Sequence, residues 1–130
     1  MSTRKILIIE DDPIILYLYK TQFERAGFEV KVANNGEAGF YSLHQSPPDA
    51  VLLDLMLPKI NGYELCRKLK GDAHHQKVPV ILFTAMAQQK DKQLGFQCGA
   101  DAYVCKPFRT RELLDKIKEL TPRKGGESDV

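Results

Sequence analysis

The stretch DAVLLDLMLP, residues 49–58, decides the fold of this 130-residue chain, because an apolar run of strand length ends there on one carboxylate and a proline-containing turn. Other apolar runs also end on polar residues: 6–9 before Glu10-Asp11-Asp12, 80–83 before Thr84, and 102–105 before Lys106. Continuous apolar runs of this length are typical of strands covered on both faces, as in a parallel sheet. The pattern therefore predicts a parallel sheet with polar groups at its strand ends.

Helical patterns separate the strands. The first helix is expected to have Asp12 as its cap and Pro13 in its first turn, and to stop at Gly27. Its predicted core stripe is Leu16, Tyr19, Phe23 and Ala26. Further helices are expected at 37–44, 63–70, 86–98 and 109–120, and a weaker strand near an edge at 29–33. Short connections between alternating strands and helices predict right-handed βαβ units. The expected fold is a flavodoxin-like doubly wound α/β sandwich with five parallel strands, in the order 2-1-3-4-5, and five helices.

Length and composition fit one domain, residues 1–121, followed by a Gly- and charge-rich tail at 122–130 that we expect to be disordered. The formal charge of +2 gives no electrostatic argument for nucleic acid binding. Cys66, Cys98 and Cys105 lie in apolar patterns without metal-ligand spacing, which indicates reduced core thiols. No run is long enough to cross a bilayer, and the first residues do not resemble a signal peptide. We expect a cytoplasmic protein with no membrane contact.

The strand ends predict one site. In the order 2-1-3-4-5 the winding reverses between the first and third strands, which carry Asp11, Asp12 and Asp54. Three carboxylates within about 4 Å repel one another by roughly 4 kcal/mol per pair at an effective dielectric constant near 20. With Lys106 the set has a net charge of −2, which a divalent cation would complement. An all-oxygen site suits Mg²⁺.

Asp54 is the predicted nucleophile of a phosphoryl transfer, because it ends the central strand with Mg²⁺, Thr84 and Lys106 expected around it. The product would be an aspartyl phosphate. No Gly-rich loop of a nucleotide-binding type follows any strand. We therefore expect the phosphoryl group to arrive on another protein.

These motifs resemble the receiver domain of two-component response regulators, and the resemblance covers residues 5 to about 120. The motifs are Glu10-Asp11-Asp12, Asp54 with Met56-Leu57-Pro58 and Asn61-Gly62, Thr84-Ala85, residues 99–103, and Lys106-Pro107-Phe108. The resemblance implies that a histidine kinase or a histidine phosphotransfer protein phosphorylates Asp54. It also implies that Asp12, Asp54 and the Met56 carbonyl ligate Mg²⁺ directly, that Asp11 acts through water, and that Lys106 pairs with the phosphoryl group. The Lys106–Pro107 bond would be cis.

The resemblance also implies an output. Thr84 would turn toward the phosphoryl group, and Tyr103 would move into the vacated space and reshape the face made by the fourth helix, the fifth strand and the fifth helix. A simple rim aromatic is the alternative for Tyr103. The partners would be the phosphohistidine protein and a downstream protein target, with a phosphorylation-dependent homodimer as one form of output and no direct nucleic acid contact. Ile14, Ile15 and Leu18 would either dock the donor or belong to a broad core contact.

Two methionines depart from the commoner polar pattern of the family. Met56 and Met86 each follow the site residues Asp54 and Thr84 by two positions, and we expect their thioethers to obstruct the hydrolytic water and slow autodephosphorylation. The protein would thus catalyse only its own phosphotransfer and slow dephosphorylation. One alternative is a phosphohydrolase of the haloacid dehalogenase type, which needs a second Asp where Met56 stands. Another is a receiver-shaped scaffold that is never phosphorylated.

Overall fold

The structure, a computed structural model, describes residues 4–55, 62–73, 76–84, 97–105 and 110–121. These residues form five strands and four helices. In chain order they are β1 (Lys5–Ile9), α1 (Pro13–Arg25), β2 (Glu29–Ala33), α2 (Gly36–Gln45), β3 (Ala50–Asp54), α3 (Gly62–Gly71), β4 (Val80–Thr84), β5 (Ala102–Cys105) and α4 (Thr110–Leu120). The helix predicted at 86–98 and the tail at 122–130 lie outside the described residues, apart from the last residues of that helix.

The strands form one parallel sheet in the order β2-β1-β3-β4-β5, which confirms the predicted topology. Every residue of β3 is buried, since this strand pairs with β1 on one side and β4 on the other. The weaker strand β2 lies at an edge, as its alternating sequence predicts. The winding reverses between β1 and β3, so that the carboxyl ends of these two strands lie side by side.

Two hydrophobic cores cover the two faces of the sheet. One packs under α2 and α3 and contains Val51 and Leu53 of the central strand. The other packs under α1 and α4 and contains Ala50 and Leu52 of the same strand. Successive residues of a strand point to opposite faces, which explains this division. By the same alternation the last residue of β3, Asp54, belongs to the α1 side of the sheet.

Helix α1 begins where the sequence predicts and ends one residue before the predicted Ala26. Asp12 caps it, Pro13 is its first residue, and Gly27 follows it with φ of +99°, a conformation that glycine adopts without a Cβ clash. Phe23 is fully buried and Tyr19 packs against the same core. The prediction that Ala26 belongs to the core stripe is wrong: the helix ends at the preceding residue, and Ala26 is exposed at its C-cap.

Cys66 and Cys98 are buried free thiols, as predicted, and burial is the first cause that raises the pKa of Cys66 to about 12. A thiol with so high a pKa forms little thiolate and is unreactive at neutral pH. The side chain of Cys105 lies outside the described residues. Within the described ranges, every helix is too short or too polar to cross a membrane.

Candidate functional site

Three carboxylates meet at the carboxyl ends of β1 and β3. Oxygen atoms of Glu10, Asp11 and Asp54 all lie within 4.8 Å of one another. Glu10 and Asp54 are buried, with 1% and 3% of their surface exposed, whereas Asp11 is exposed to solvent. Buried acidic side chains are rare unless they are paired or hold a metal, so this group is the strongest candidate for a functional site among the described residues.

The sheet brings the two buried carboxylates together. Ile9 of β1 lies opposite Leu53 of β3, which places Glu10 and Asp54 at neighbouring positions just beyond this pair. The backbone N–H of Glu10 donates to the Ala33 carbonyl at 3.0 Å, so the ladder to β2 extends past the end of β1. Glu10 therefore keeps a strand-like position and, by alternation, shares the α1 side of the sheet with Asp54.

The side chain of Asp12 caps a helix, unlike those of its acidic neighbours. Its Oδ1 accepts hydrogen bonds from the backbone N–H groups of Ile14, at 2.9 Å, and Ile15, at 3.4 Å, and so caps α1. Its own backbone N–H donates to Oε2 of Glu10 at 3.2 Å. The described carboxylate group contains Glu10 in place of Asp12, and the direct ligand role of Asp12 stays a prediction.

Glu10 is the site residue that the sequence analysis missed. The sequence predicts site roles for Asp11 and Asp12, the second and third residues of the acidic triplet, and none for Glu10. A signal for it was present in the sequence, because Asp12 followed by Pro13 already predicts a helix cap. Once the side chain of Asp12 is committed to the cap, Glu10 and Asp11 remain to face Asp54.

Loss of solvation, with smaller contributions from its acidic neighbours, raises the pKa of Asp11, the exposed member of the group. The pKa of Asp11 is raised, first by partial loss of solvation and next by its hydrogen bond with Glu10, while the charges of Glu10 and Asp12 add to the rise. A hydrogen bond from the backbone lowers it in part. The part of this rise that comes from neighbouring negative charge is one that a bound cation would offset.

The donor set fits Mg²⁺. The three residues supply carboxylate oxygens without sulfur or nitrogen, and hard divalent cations prefer such ligands. Mg²⁺ binds through one or two carboxylates and keeps several waters, so the exposed Asp11 offers it an approach from solvent. This chain could therefore hold a hydrated Mg²⁺ ion between Glu10, Asp11 and Asp54.

Helix α3 begins in close contact with the strand end that carries Asp54. The N–H of Gly62 donates to the Leu55 carbonyl at 3.3 Å. A Cβ on Gly62 would lie 2.6 Å from the Cα of Leu55 and 3.0 Å from the carbonyl oxygen of Asp54. Any side chain at this position would push the backbone of Asp54 and Leu55, so the glycine allows the approach that fixes the site.

Several predicted site residues lie wholly or partly outside the described residues. Thr84 ends β4, as predicted, and lies opposite Cys105 of β5, but its side chain is not among those described. Met56, Met86, Lys106 and Pro107 lie outside the described ranges altogether, and their roles stay predictions. Tyr103 is half-buried in β5 and packs against the core under α2 and α3.

The three predicted docking residues of α1 separate into two groups. Ile14 and Leu18 are exposed, with 77% and 49% of their surface in solvent, and they lie one turn apart. Ile15 packs instead against the core under α1. For Ile15 the core alternative is therefore the better one, because its contacts are directed into the protein. Tyr17, 72% exposed, lies on the same helix and was not assigned to the docking surface.

Comparison with known proteins agrees with this geometry. A family model described as the response regulator receiver domain matches residues 6–118. The DNA-binding dual master transcriptional regulator RpaA of Synechocystis is 42% identical over 92% of this chain and 49% of the relative. The chain spans about half the length of the curated relatives it matches. Because that relative is named as a DNA-binding protein, the expectation of no direct nucleic acid contact is not supported.

Solved structures of receiver domains are also similar to this chain. A response regulator receiver domain protein from Methanospirillum hungatei is 34% identical, with a TM-score of 0.84 over 91% of this chain and 93% of that one. The receiver domain of a sensor histidine kinase from Pseudomonas aeruginosa is 28% identical, with a TM-score of 0.85 over 94% of this chain and all of that one. That domain was solved with a magnesium ion coordinated in its active-site cleft.

Proposed function

The chain belongs to the response regulator receiver domain family, and from this premise we propose that it accepts a phosphoryl group on Asp54 from a phosphohistidine protein, in a Mg²⁺-dependent reaction. The observation that carries the proposal is the convergence of Glu10, Asp11 and Asp54 at the carboxyl ends of β1 and β3. The donor is a histidine kinase or a histidine phosphotransfer protein. Such a relay operates inside the cell, so the proposed location is cytoplasmic.

Asp54 is the proposed nucleophile. One of its carboxylate oxygens attacks the phosphorus of the phosphohistidine, a P–O bond forms, and the P–N bond breaks with its electron pair returning to the imidazole ring. Burial of Asp54 at the end of the central strand limits the access of competing water. When bound, Mg²⁺ would neutralise charge on the transferred group and orient its oxygens.

The proposed metal site consists of Glu10, Asp11 and Asp54, with the Met56 carbonyl as a further ligand. This assignment replaces Asp12 with Glu10, since Oδ1 of Asp12 is already bonded to two N–H groups of α1. Asp12 contributes indirectly, because its backbone N–H fixes the carboxylate of Glu10. Thr84 and Lys106 are proposed to bind the phosphoryl oxygens.

The signal is proposed to leave through β5. Thr84 and Tyr103 lie on neighbouring strands, and Tyr103 packs against the core beside Leu82. On phosphorylation Thr84 would draw toward the phosphoryl group and Tyr103 would follow, which changes the surface beside β5 that a downstream protein or a second copy of the chain reads. An unchanged environment of Tyr103 in NMR spectra after phosphorylation would contradict this step.

Phosphorylation of Asp54 can be tested directly by mass spectrometry. The protein is mixed with a phosphorylated histidine phosphotransfer protein and Mg²⁺, and we expect a gain of one phosphoryl group. Asp54→Asn should abolish the gain, whereas Asp115→Asn, an exposed control on α4, should retain it. Chelation of Mg²⁺ should also abolish it. A phosphorylated Asp54→Asn protein would overturn the assignment of the nucleophile.

The same assay tests the docking surface, defined as Ile14 and Leu18. Both are exposed within two turns of the cap residue Asp12, so a protein bound there would reach the acidic site. Leu18→Glu should slow transfer from the phosphohistidine protein by roughly tenfold or more, since it places a charge in an apolar contact. Tyr41→Glu, an exposed aromatic of α2, is the matched control. Equal rates for both variants would argue against docking at α1.

A further inference from the structure

Arg4 is a buried cation at the amino end of the sheet. Among the described residues three charged side chains are buried, and they belong to Arg4, Glu10 and Asp54. The two carboxylates form part of the acidic site, whereas Arg4 immediately precedes β1 and lies at the other end of that strand. Only 9% of the surface of Arg4 is exposed. A buried charge destabilises the fold unless polar partners compensate it, so the partners of Arg4 indicate its role.

The guanidinium group of Arg4 contacts the end of helix α4, at a residue 117 positions further along the chain. Its Nε donates to the carbonyl oxygen and to Oγ1 of Thr121, both at 3.0 Å. The Thr121 hydroxyl accepts this bond while donating its own proton to the Ile117 carbonyl, at 2.6 Å. The backbone of Arg4 is held as well, because its carbonyl accepts from the N–H of Glu29 at 2.9 Å. Arg4 therefore joins the end of α4 to the sheet.

This contact lies where α4 stops. The N–H of Thr121 still donates to the Ile117 carbonyl, at 2.9 Å, as it would inside a helix. If the helix continued, the Thr121 carbonyl would accept from the N–H four positions further on, but Nε of Arg4 already donates to it. A positive charge is favourable there, because the unpaired carbonyls at a helix C-terminus carry partial negative charge. Pro122 acts in the same direction, since a proline disfavours the helical conformation of the preceding residue.

We propose that Arg4 is a latch that ends α4 at Thr121 and fixes the point from which the C-terminal segment 122–130 leaves the folded domain. Helix α4 packs through Leu113 and Ile117 on the core that also contains Phe83, a residue of β4. A shift of this helix reaches the C-terminal segment only if the contact between Arg4 and Thr121 opens. While the latch is closed, the segment starts from a fixed position at the amino end of the sheet. This device goes beyond the proposed function, because it needs neither Mg²⁺ nor a phosphoryl group.

The test is limited proteolysis of Arg4→Met, which keeps a long side chain and removes every donor. A protease specific for glutamate cleaves after Glu119, in the last turn of α4, when that turn opens. Because hydrogen bonds of charged groups are among the stronger ones, we expect this cleavage to be about tenfold faster in Arg4→Met than in the wild type. Mass spectrometry of the fragments measures the rate. Equal rates would overturn the inference.

Two controls separate opening of the latch from a general loss of stability. Lys5→Met changes the neighbouring residue, which is exposed and has only a surface ion pair with Glu29 at 3.9 Å, and it should be cleaved like the wild type. Cleavage after Glu64, an exposed residue of α3, should be nearly the same in Arg4→Met and the wild type. If cleavage after Glu64 rises as much as cleavage after Glu119, Arg4 stabilises the whole fold and is no latch for α4.

A double-mutant cycle identifies Thr121 as the partner. Thr121→Val removes the hydroxyl group that accepts from Arg4 and keeps the shape of the side chain. If the two residues act together, Arg4→Met and Thr121→Val combined should accelerate cleavage after Glu119 by less than the product of their separate effects. Fully multiplicative effects would overturn the inference. Failure of the proposed function looks different: the wild type would accept no phosphoryl group, while the cleavage rates of these variants would stay as stated.

Discussion

The two ends of the sheet differ in how their charged side chains are paired. At the amino end, Oδ2 of Asp101 accepts from Lys70 Nζ at 2.9 Å and from the backbone N–H of Val80 at 2.8 Å. Nε of the buried Arg4 donates to both the carbonyl and the hydroxyl oxygen of Thr121 at 3.0 Å. At the carboxyl end, three carboxylates lie within 4.8 Å of one another.

The difference separates stability from function within one fold. An ion pair and hydrogen bonds at the amino end connect the starts of β1, β4 and β5 to the ends of α3 and α4, and so stabilise the folded chain. Like charges at the carboxyl end destabilise it, since each ionised carboxylate raises the energy of the others. The proposed Mg²⁺ site would need this negative charge before the cation arrives. Under the proposed function, the carboxyl end favours cation binding at the expense of stability.

The largest expected effect comes from disturbing the backbone of the carboxyl end. Gly62→Ala places a Cβ 2.6 Å from the Leu55 Cα, which must move together with Asp54. Overpacking of this kind costs about 1–3 kcal/mol of unfolding free energy, and Mg²⁺ affinity should fall as well. Urea unfolding and Mg²⁺ titration measure the two effects.

Gly71→Ala is the control in the same helix, because a Cβ at Gly71 meets no atom within 4 Å. It should leave both unfolding free energy and Mg²⁺ affinity close to those of the wild type. If Gly62→Ala resembles this control, the close approach of α3 does not hold the site.

An intermediate loss of unfolding free energy is expected from a substitution at the amino end of the sheet. Asp101→Ala removes the acceptor of Lys70 and of the Val80 N–H, which should lower the unfolding free energy by about 1–2 kcal/mol. Because Asp101 lies at the opposite end of the sheet from Asp54, Mg²⁺ affinity should stay unchanged. A loss of affinity as large as that of Gly62→Ala would show that the two ends are not independent.

The smallest expected change in unfolding free energy is that of Asp11→Asn. It should be stabilising, whereas Gly62→Ala and Asp101→Ala should be destabilising. A carboxyl whose pKa is raised on folding binds its proton more tightly in the folded state, so stability falls as pH rises from 3.8 through the raised value. Asp11→Asn should remove this loss and stabilise the Mg²⁺-free protein at pH 7 by roughly 0.5 kcal/mol, the scale of exposed charge interactions. At pH 3, where the carboxyl is protonated in both states, the gain should vanish.

Thermal unfolding at the two pH values, with and without Mg²⁺, measures the effect. Mg²⁺ should stabilise the wild type more than Asp11→Asn, which lacks one carboxylate of the site. A variant less stable than the wild type at pH 7 without metal would mean that Asp11 stabilises the fold, contrary to the charge crowding described above.

Much of the fold was predictable because its signals are local. The apolar run before Asp54 and the cap at Asp12 are read from adjacent residues, and both are confirmed. Ile14 and Ile15 show that local sequence does not predict which residues of a helix are buried. They are identical neighbours in sequence, yet Ile14 is 77% exposed and Ile15 packs against the core. Their difference arises from the rotation of α1 over the sheet, which composition does not encode.

The site itself shows the same division. The carboxylate at the end of the central strand was predictable from local sequence, because a polar residue can follow a buried apolar run only where the strand leaves the core. The tertiary structure was needed to show that Glu10, rather than Asp12, forms the carboxylate group with Asp11 and Asp54. That choice depends on which of three consecutive acidic residues continues the strand and which turns into the helix cap, and hydrogen bonds to β2 and α1 settle it.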